Sequence, residues 1–391
     1  MSMVEKSKRL TYIDNIRVFV IAMVILMHLA VTYSGFGGWY YKEGVQIGAV
    51  EMTLFGFFQC FLQAFFMGLL FLISGYFVPS AYDRKGFGKF LKDRLVRLVI
   101  PAVVFMVIIN PITYYSMAIS LGDKLPGFFE YYLHYMTSIQ VLEGNGPMWF
   151  VLALFVFNLV YGIIRFIRKD PSTTKAKDSL ESASTNTTRI SAKILIGLGL
   201  LIAVLTFLVR IVQPIGTSFS NMQLCYFVQY IVLFAVGIFA YRRDLLSKLD
   251  AKVGKRCLVI ALGPGFAVWS AIMILGGSLD GKTYYNGGFT WQSAGFAVWE
   301  SLTAVLVSYG LLTLFREKFN TQAKLGTALS KSAFAVYMFH TPIIIAVSLL
   351  LRPLEIMPIF KFLLTGVICV PLCYVIGYFI LIRIPGLRKI L

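Results

Sequence analysis

The chain has 391 residues, 58% hydrophobic and 14% charged, with 36 Lys and Arg against 18 Asp and Glu for a formal net charge of +18. A soluble domain carries about a quarter charged residues, so this chain lacks the polar surface to cover itself in water. The basic excess does not indicate nucleic acid, because there is no aromatic-interleaved basic stripe and no zinc-finger spacing.

The apolar residues come in runs near the length that crosses a hydrocarbon layer of roughly 30 Å at about 1.5 Å per helical residue. Backbone polar groups in lipid must pair within their own segment, so the runs are helices rather than open strands. Hydropathy predicts spans at 16–34, 52–77, 97–118, 147–167, 193–213, 222–240, 257–276, 291–315, 332–351 and 358–382. The expectation is an all-α polytopic transmembrane bundle of about ten spans, lying in the cell membrane as one domain over 1–391.

Met1 to Leu10 is short and basic, and no small-residue cleavage site follows the first apolar run, so that run is expected to stay as a span. It opens Tyr12-Ile13-Asp14-Asn15-Ile16-Arg17 and, ten residues later, carries His28. Eleven positions at about 100° each bring Arg17 and His28 to one helix face, roughly 16 Å apart along the axis. Ionisable groups inside a span are costly and mark function by default. A phosphate-bearing carrier could be gripped at Arg17 and react at His28; the competing readings are a snorkelling arginine and a histidine bonding across helices.

In the second span Gln59 and Gln63, at i and i+4, could line the same cavity. Ser74-Gly75 near its end permits close helix approach or cofactor access. Lys89, Lys92, Arg94 and Arg97 lead into the third span. Guanidinium forks suit bidentate phosphate binding, although basic loops facing the cytoplasm would also explain the cluster. A polar linker at about 168–193 contains the sequon Asn186-Thr187-Thr188, expected to be accidental in a cytoplasmic loop. Gly263-Pro264-Gly265 is expected to break the seventh span. Glu300 falls near the middle of the eighth, where it could orient the His28 imidazole or pair with Arg210. His340, in the ninth, could assist the chemistry or bond across helices.

Alternate loops are densely basic, from Lys6, Lys8 and Arg9 through Arg242, Arg243 and Lys248 to Arg383, Arg388 and Lys389. That asymmetry predicts both termini in the cytoplasm, which requires an even number of spans. Cys60, Cys225, Cys257, Cys369 and Cys373 sit in or beside apolar runs without metal-ligand spacing and read as small apolar side chains. No metal is expected. There is no Gly-x-Ser-x-Gly elbow, HExxH or P-loop.

Several segments resemble the acyltransferase 3 family of integral membrane O-acyltransferases, glucan biosynthesis protein C-like members among them. They are Tyr12 to Arg17 with His28, Phe65-Phe66-Met67 through Ser74-Gly75-Tyr76-Phe77, Arg94-Leu95-Val96-Arg97 leading to Pro101, Gly146-Pro147-Met148-Trp149, and Ser330 through Tyr337 to His340. The resemblance implies helices around a cavity, an acyl-CoA-like donor taken from the cytoplasm, and transfer to a hydroxyl of an extracytoplasmic glycan or lipid. It implies His28 as the catalytic histidine and Arg17, Arg94 and Arg97 as donor ligands. Lys89 and Ser74 are further donor-side candidates, and Glu300 and His340 further catalytic ones. Gln63 stands where some relatives carry His or another polar residue, and no additional extracytoplasmic domain is expected. Membrane lipids are the remaining partner, with no nucleic acid. The rival class is a multi-pass transporter or flippase without group transfer.

Overall fold

The computed structural model describes residues 10–44, 46–168 and 190–388, so most of the polar linker and its sequon lie outside the described residues. Every regular element among the described residues is helical. The long helices are α1 (Thr11–Ser34), α2 (Ala49–Arg94), α3 (Asn110–Leu121), α4 (Phe128–Thr137), α5 (Trp149–Ile167), α6 (Ala192–Val212), α7 (Phe227–Arg242), α8 (Ala251–Leu275), α9 (Trp291–Lys318), α10 (Lys324–Leu350) and α11 (Pro358–Phe379).

Nine helical runs among the described residues are long and apolar enough to cross a membrane. The sequence predicts about ten, and the difference lies in the run Ala49–Leu121, 73 residues without a coil. At about 1.5 Å per residue a straight rod of that length would reach about 110 Å. It does not run straight: Gly86, at φ 70° and ψ 170°, interrupts it. Tyr82 and Phe90, eight residues apart, bring their ring centroids within 5.5 Å, and Lys85 pairs with Asp93 across the same bend. One continuous run therefore holds the second and third predicted spans.

The expectation at Gly263-Pro264-Gly265 is corrected. Helix α8 continues through Pro264. A proline inside a membrane helix removes one hydrogen bond, a loss that membrane helices tolerate; next to it, the Gly265 carbonyl accepts from Trp299 Nε1 at 2.8 Å, which ties this stretch of α8 to α9.

Helix α1 occupies the centre, against α2, α9, α10 and α11. Large apolar side chains at mid-helix face outward, among them Val204 at 59% exposure and Val367 at 73%. Such a surface is unstable in water and suits lipid, which makes this a multi-pass membrane protein. Glycine sets the closest crossing. A Cβ at Gly75 would collide with the Phe234 carbonyl of α7, and one at Gly237 with the Leu72 carbonyl of α2, so the small residues let two backbones touch. Gly75 thus serves close helix approach.

Helix α11 runs antiparallel to α1: Tyr33 shares a hydrogen bond with Thr365 at one end, and Tyr374 donates to the Val18 carbonyl toward the other. The start of α1 and the end of α11 therefore lie at the same end of the bundle.

Candidate functional site

Arg17 and His28 project from one uninterrupted helix, so the eleven-residue spacing keeps the common face expected of it. His28 is half-buried on this central helix. Trp39, from the loop that follows α1, lies parallel to the imidazole with centroids 3.7 Å apart and planes 12° apart. The His340 ring, from α10, is also nearly parallel, at 5.2 Å and 13°. Trp39 and His340 stand 6.2 Å apart. These three separations form a nearly right-angled triangle with its corner at His28. Trp39 therefore covers a face of His28, and His340 lies displaced to its side.

His340 has no exposed surface. Its Nδ1 sits 2.7 Å from the Tyr337 carbonyl oxygen. A carbonyl can only accept, so Nδ1 carries the proton and Nε2 of the neutral ring holds the lone pair. That Nε2 is buried and has no protein partner. Two imidazoles at this separation can share one bridging hydroxyl between their edges.

The Tyr337 hydroxyl donates to the Pro147 carbonyl, which ties α10 to the Gly146-Pro147-Met148-Trp149 segment. Asn145, just before it, is fully buried, donates to the carbonyl and the hydroxyl of Ser220 at 2.8 Å each, and accepts from Asn221. Gly146 adopts φ 46°, and a Cβ there would meet the Tyr40 hydroxyl and the Phe105 ring. Tyr40 in turn donates to Asn110 Oδ1 at 2.5 Å, and Asn110 donates to the Tyr135 hydroxyl at 3.2 Å. The loop bearing Trp39 is thus braced on its far side. Trp39, Tyr40, Asn110 and Asn145 were not legible as site residues; the available hint was an aromatic pair within a glycine-rich stretch directly after the histidine-bearing span.

The basic cluster forms a cavity of about 240 Å³ at the end of the bundle where α1 begins. It is lined by Arg84, Lys85, Arg94, Arg97, the carboxylate of Asp93 and the ring of Phe77. Four cations against one carboxylate make it a site for a polyanion such as a nucleotide phosphate. Arg94 lies over the Phe90 ring at 5.1 Å, and its buried Nε has no partner. Arg17 lies over Phe77, the cavity wall, at 5.1 Å and pairs with Asp14 at 3.4 Å. Arg17 therefore stands between the arginine cavity and the face that leads to His28. Lys89 is exposed and is not among the lining residues, and Ser74 sits one turn deeper than Phe77.

Glu300 takes the second of its two expected roles. It accepts from Arg210 Nη2 at 2.5 Å, with side chains 2% and 0% exposed. Arg210 also lies over the rings of Tyr226 and Phe296, at 5.2 and 5.6 Å. The carboxylate is committed to that guanidinium, so the geometry groups His340, not Glu300, with His28. Gln59 bonds Ser34 and Gln63 bonds Tyr230, so both glutamines brace helices. The described residues contain no group of three or more His, Cys, Asp or Glu able to hold a metal ion.

A family model described as an acyltransferase domain matches residues 10–378. Curated relatives named glucans biosynthesis protein C, from Salmonella paratyphi B and Salmonella agona, are 23% identical over 380 residues, covering 96% of this chain and 93% of theirs. No solved structure matches.

Proposed function

The chain belongs to this acyltransferase family, and on that premise we propose that it moves an acyl group from a cytoplasmic acyl-CoA-like thioester to a hydroxyl of an extracytoplasmic glycan or lipid. Modification of a cell-envelope polysaccharide is the setting in which such a product arises. The observation that carries the reading is the pairing of an arginine-lined cavity at the end of the bundle where α1 begins with His28, farther along α1, and the His340 imidazole of α10 beside it.

Arg94 and Arg97, with Arg17 beside them, hold the donor phosphates at the membrane surface, where a charged nucleotide can stay in water. Only the slim arm carrying the thioester enters the bundle along the Arg17–His28 face, a path of roughly 16 Å. His28 takes the proton of the acceptor hydroxyl while its oxygen attacks the thioester carbonyl carbon. An ester C–O bond forms, the C–S bond breaks, and the proton passes to the leaving sulfur, giving a free thiol. The lone pair on His340 Nε2 gives the acceptor hydroxyl or the His28 ring a second polar contact. Trp39 covers the His28 face and limits water there, so the bound hydroxyl competes well against hydrolysis.

The test is reconstitution in proteoliposomes with labelled acyl-CoA on one side and extracted envelope glycans on the other. Labelled ester on the far side supports the reading. Movement of lipid or glycan with no ester formed would assign the chain to the transporter class instead.

A further inference from the structure

At the end of the bundle opposite the arginine cavity, where α1 and α10 end and α2 and α11 begin, a second cavity of about 330 Å³ opens. Its polar lining is Tyr33, Glu43, Arg352, Glu355 and Lys361. Two carboxylates face two cations, in contrast to the arginine cavity, so no net field selects an anion. Glu43 and Lys361 form an ion pair whose side chains keep only 8% and 4% of their surface. Lys361 also donates to the Arg352 carbonyl at 3.1 Å. One oxygen of Glu43 is spoken for by Lys361; the other, Oε2, is buried without a partner. A buried carboxylate oxygen with no donor costs free energy unless a ligand supplies one.

The cavity is tied to His28 by a short chain of bonds. Thr32 donates its hydroxyl to the His28 carbonyl at 3.0 Å, and the Glu43 backbone N–H donates to the Thr32 carbonyl at 2.9 Å. Glu43 thus rests on the helical turn that follows the histidine. The same loop carries Trp39, four residues earlier, which lies against the His28 ring. Four extended residues reach at most about 14 Å.

We propose that this cavity binds a neutral sugar unit of the acceptor, its hydroxyls donating to Glu43 and Glu355 and accepting from Lys361 and Arg352. Alternating donors and acceptors of cancelling charge match a polyhydroxyl ring, whereas a phosphate or other anionic group would leave the two carboxylates opposed. The volume sits near the lower end for small-ligand sites, room for a terminal sugar rather than a long chain. The assignment rests on the acyltransferase reading for the word acceptor, but not for the binding itself.

The experiment is calorimetry or saturation-transfer NMR on the full chain in nanodiscs, with maltose, cellobiose and glucose 6-phosphate as probes and thiol release from acyl-CoA measured in parallel. A neutral disaccharide should bind in the millimolar range or tighter. Glu43→Gln and Glu355→Gln should each weaken it at least about tenfold. Glu355 is on the exposed rim, so its variant folds even where loss of the Glu43–Lys361 pair compromises the protein. Disaccharide binding in a protein that releases no thiol supports the sugar site and removes the acyltransferase reading. Thiol release without disaccharide binding, binding unchanged in Glu355→Gln, or preference for glucose 6-phosphate overturns the sugar site and leaves the acyltransferase reading intact.

Discussion

The imidazoles of His28 and His340 lie nearly parallel with centroids 5.2 Å apart, one from the first long helix and one from the tenth, 312 positions along the chain. The buried partner holds its Nδ1 proton on a backbone carbonyl and keeps its Nε2 lone pair. The other partner, His28, is only half-buried. One ring is thus fixed in its tautomer, and the other is placed to exchange a proton.

Replacing His28 by Ala should lower acyl transfer roughly 10²- to 10⁴-fold, the usual contribution of a general base, with no change in detergent-solubilised thermal midpoint. Labelled-ester formation by the purified variant measures this. Transfer within a factor of two of wild type would remove His28 from the chemistry.

Trp39→Ala should separate two reactions of the donor. Without the ring over His28, water reaches the imidazole more readily, so the ratio of thioester hydrolysis to acyl transfer should rise severalfold. Thiol release counted against ester formed reads the ratio. A parallel fall in both would mean that Trp39 only supports the loop.

The arginine cavity should act on donor affinity. Hydrogen bonds to charged groups contribute about 1.5–3 kcal/mol each, so Arg94→Ala and Arg97→Ala should each raise the donor KM by about tenfold or more at nearly constant kcat. Lys89→Ala, an exposed position off the cavity lining, should change KM by less than about twofold. Equal effects at all three would indicate a diffuse surface charge in place of a site.

The Arg210–Glu300 pair should behave as structure. Removing one partner leaves an uncompensated buried charge and costs about 3–5 kcal/mol, while replacing both with apolar residues of similar volume is often close to neutral. Glu300→Leu should therefore lower the thermal midpoint strongly, and the double variant Arg210→Met/Glu300→Leu should recover most of the stability together with acyl transfer. A double variant that is stable but inactive would return Glu300 to the catalytic group.

Gly75→Val should weaken the α2–α7 crossing, because the added side chain meets the Phe234 carbonyl. Backbone cannot yield as a side-chain tip can, so the expected result is a lower midpoint and poor recovery from membranes. Ala at the same position, with a smaller intrusion, should be milder.

The spans, the all-helical class and the shared face of Arg17 and His28 were legible because each follows from a property of one segment. Hydropathy adds up residue by residue, and a helix of 3.6 residues per turn places positions 17 and 28 together whatever surrounds them. The acyltransferase family was likewise readable from short segments in order. The partners were not. Glu300 sits at a depth compatible with His28, yet it pairs with Arg210 at 2.5 Å. Trp39, in a loop without periodicity, comes to cover the central ring. Arg84 and Lys85 joined the arginine cavity in place of Lys89 because the bend at Gly86 folds the chain back on itself there.

By itself, then, the amino-acid order determined that this chain crosses a membrane many times as helices and that one helix carries an arginine and a histidine on a common face. Which side chains meet that histidine, where the buried carboxylate goes, and which of the many basic residues enclose a cavity were decided by tertiary packing. Helix formation is a short-range matter of backbone bonds and solvent. Contacts between positions 28 and 340 depend on how whole helices cross, and those crossings are set by close packing across the entire bundle.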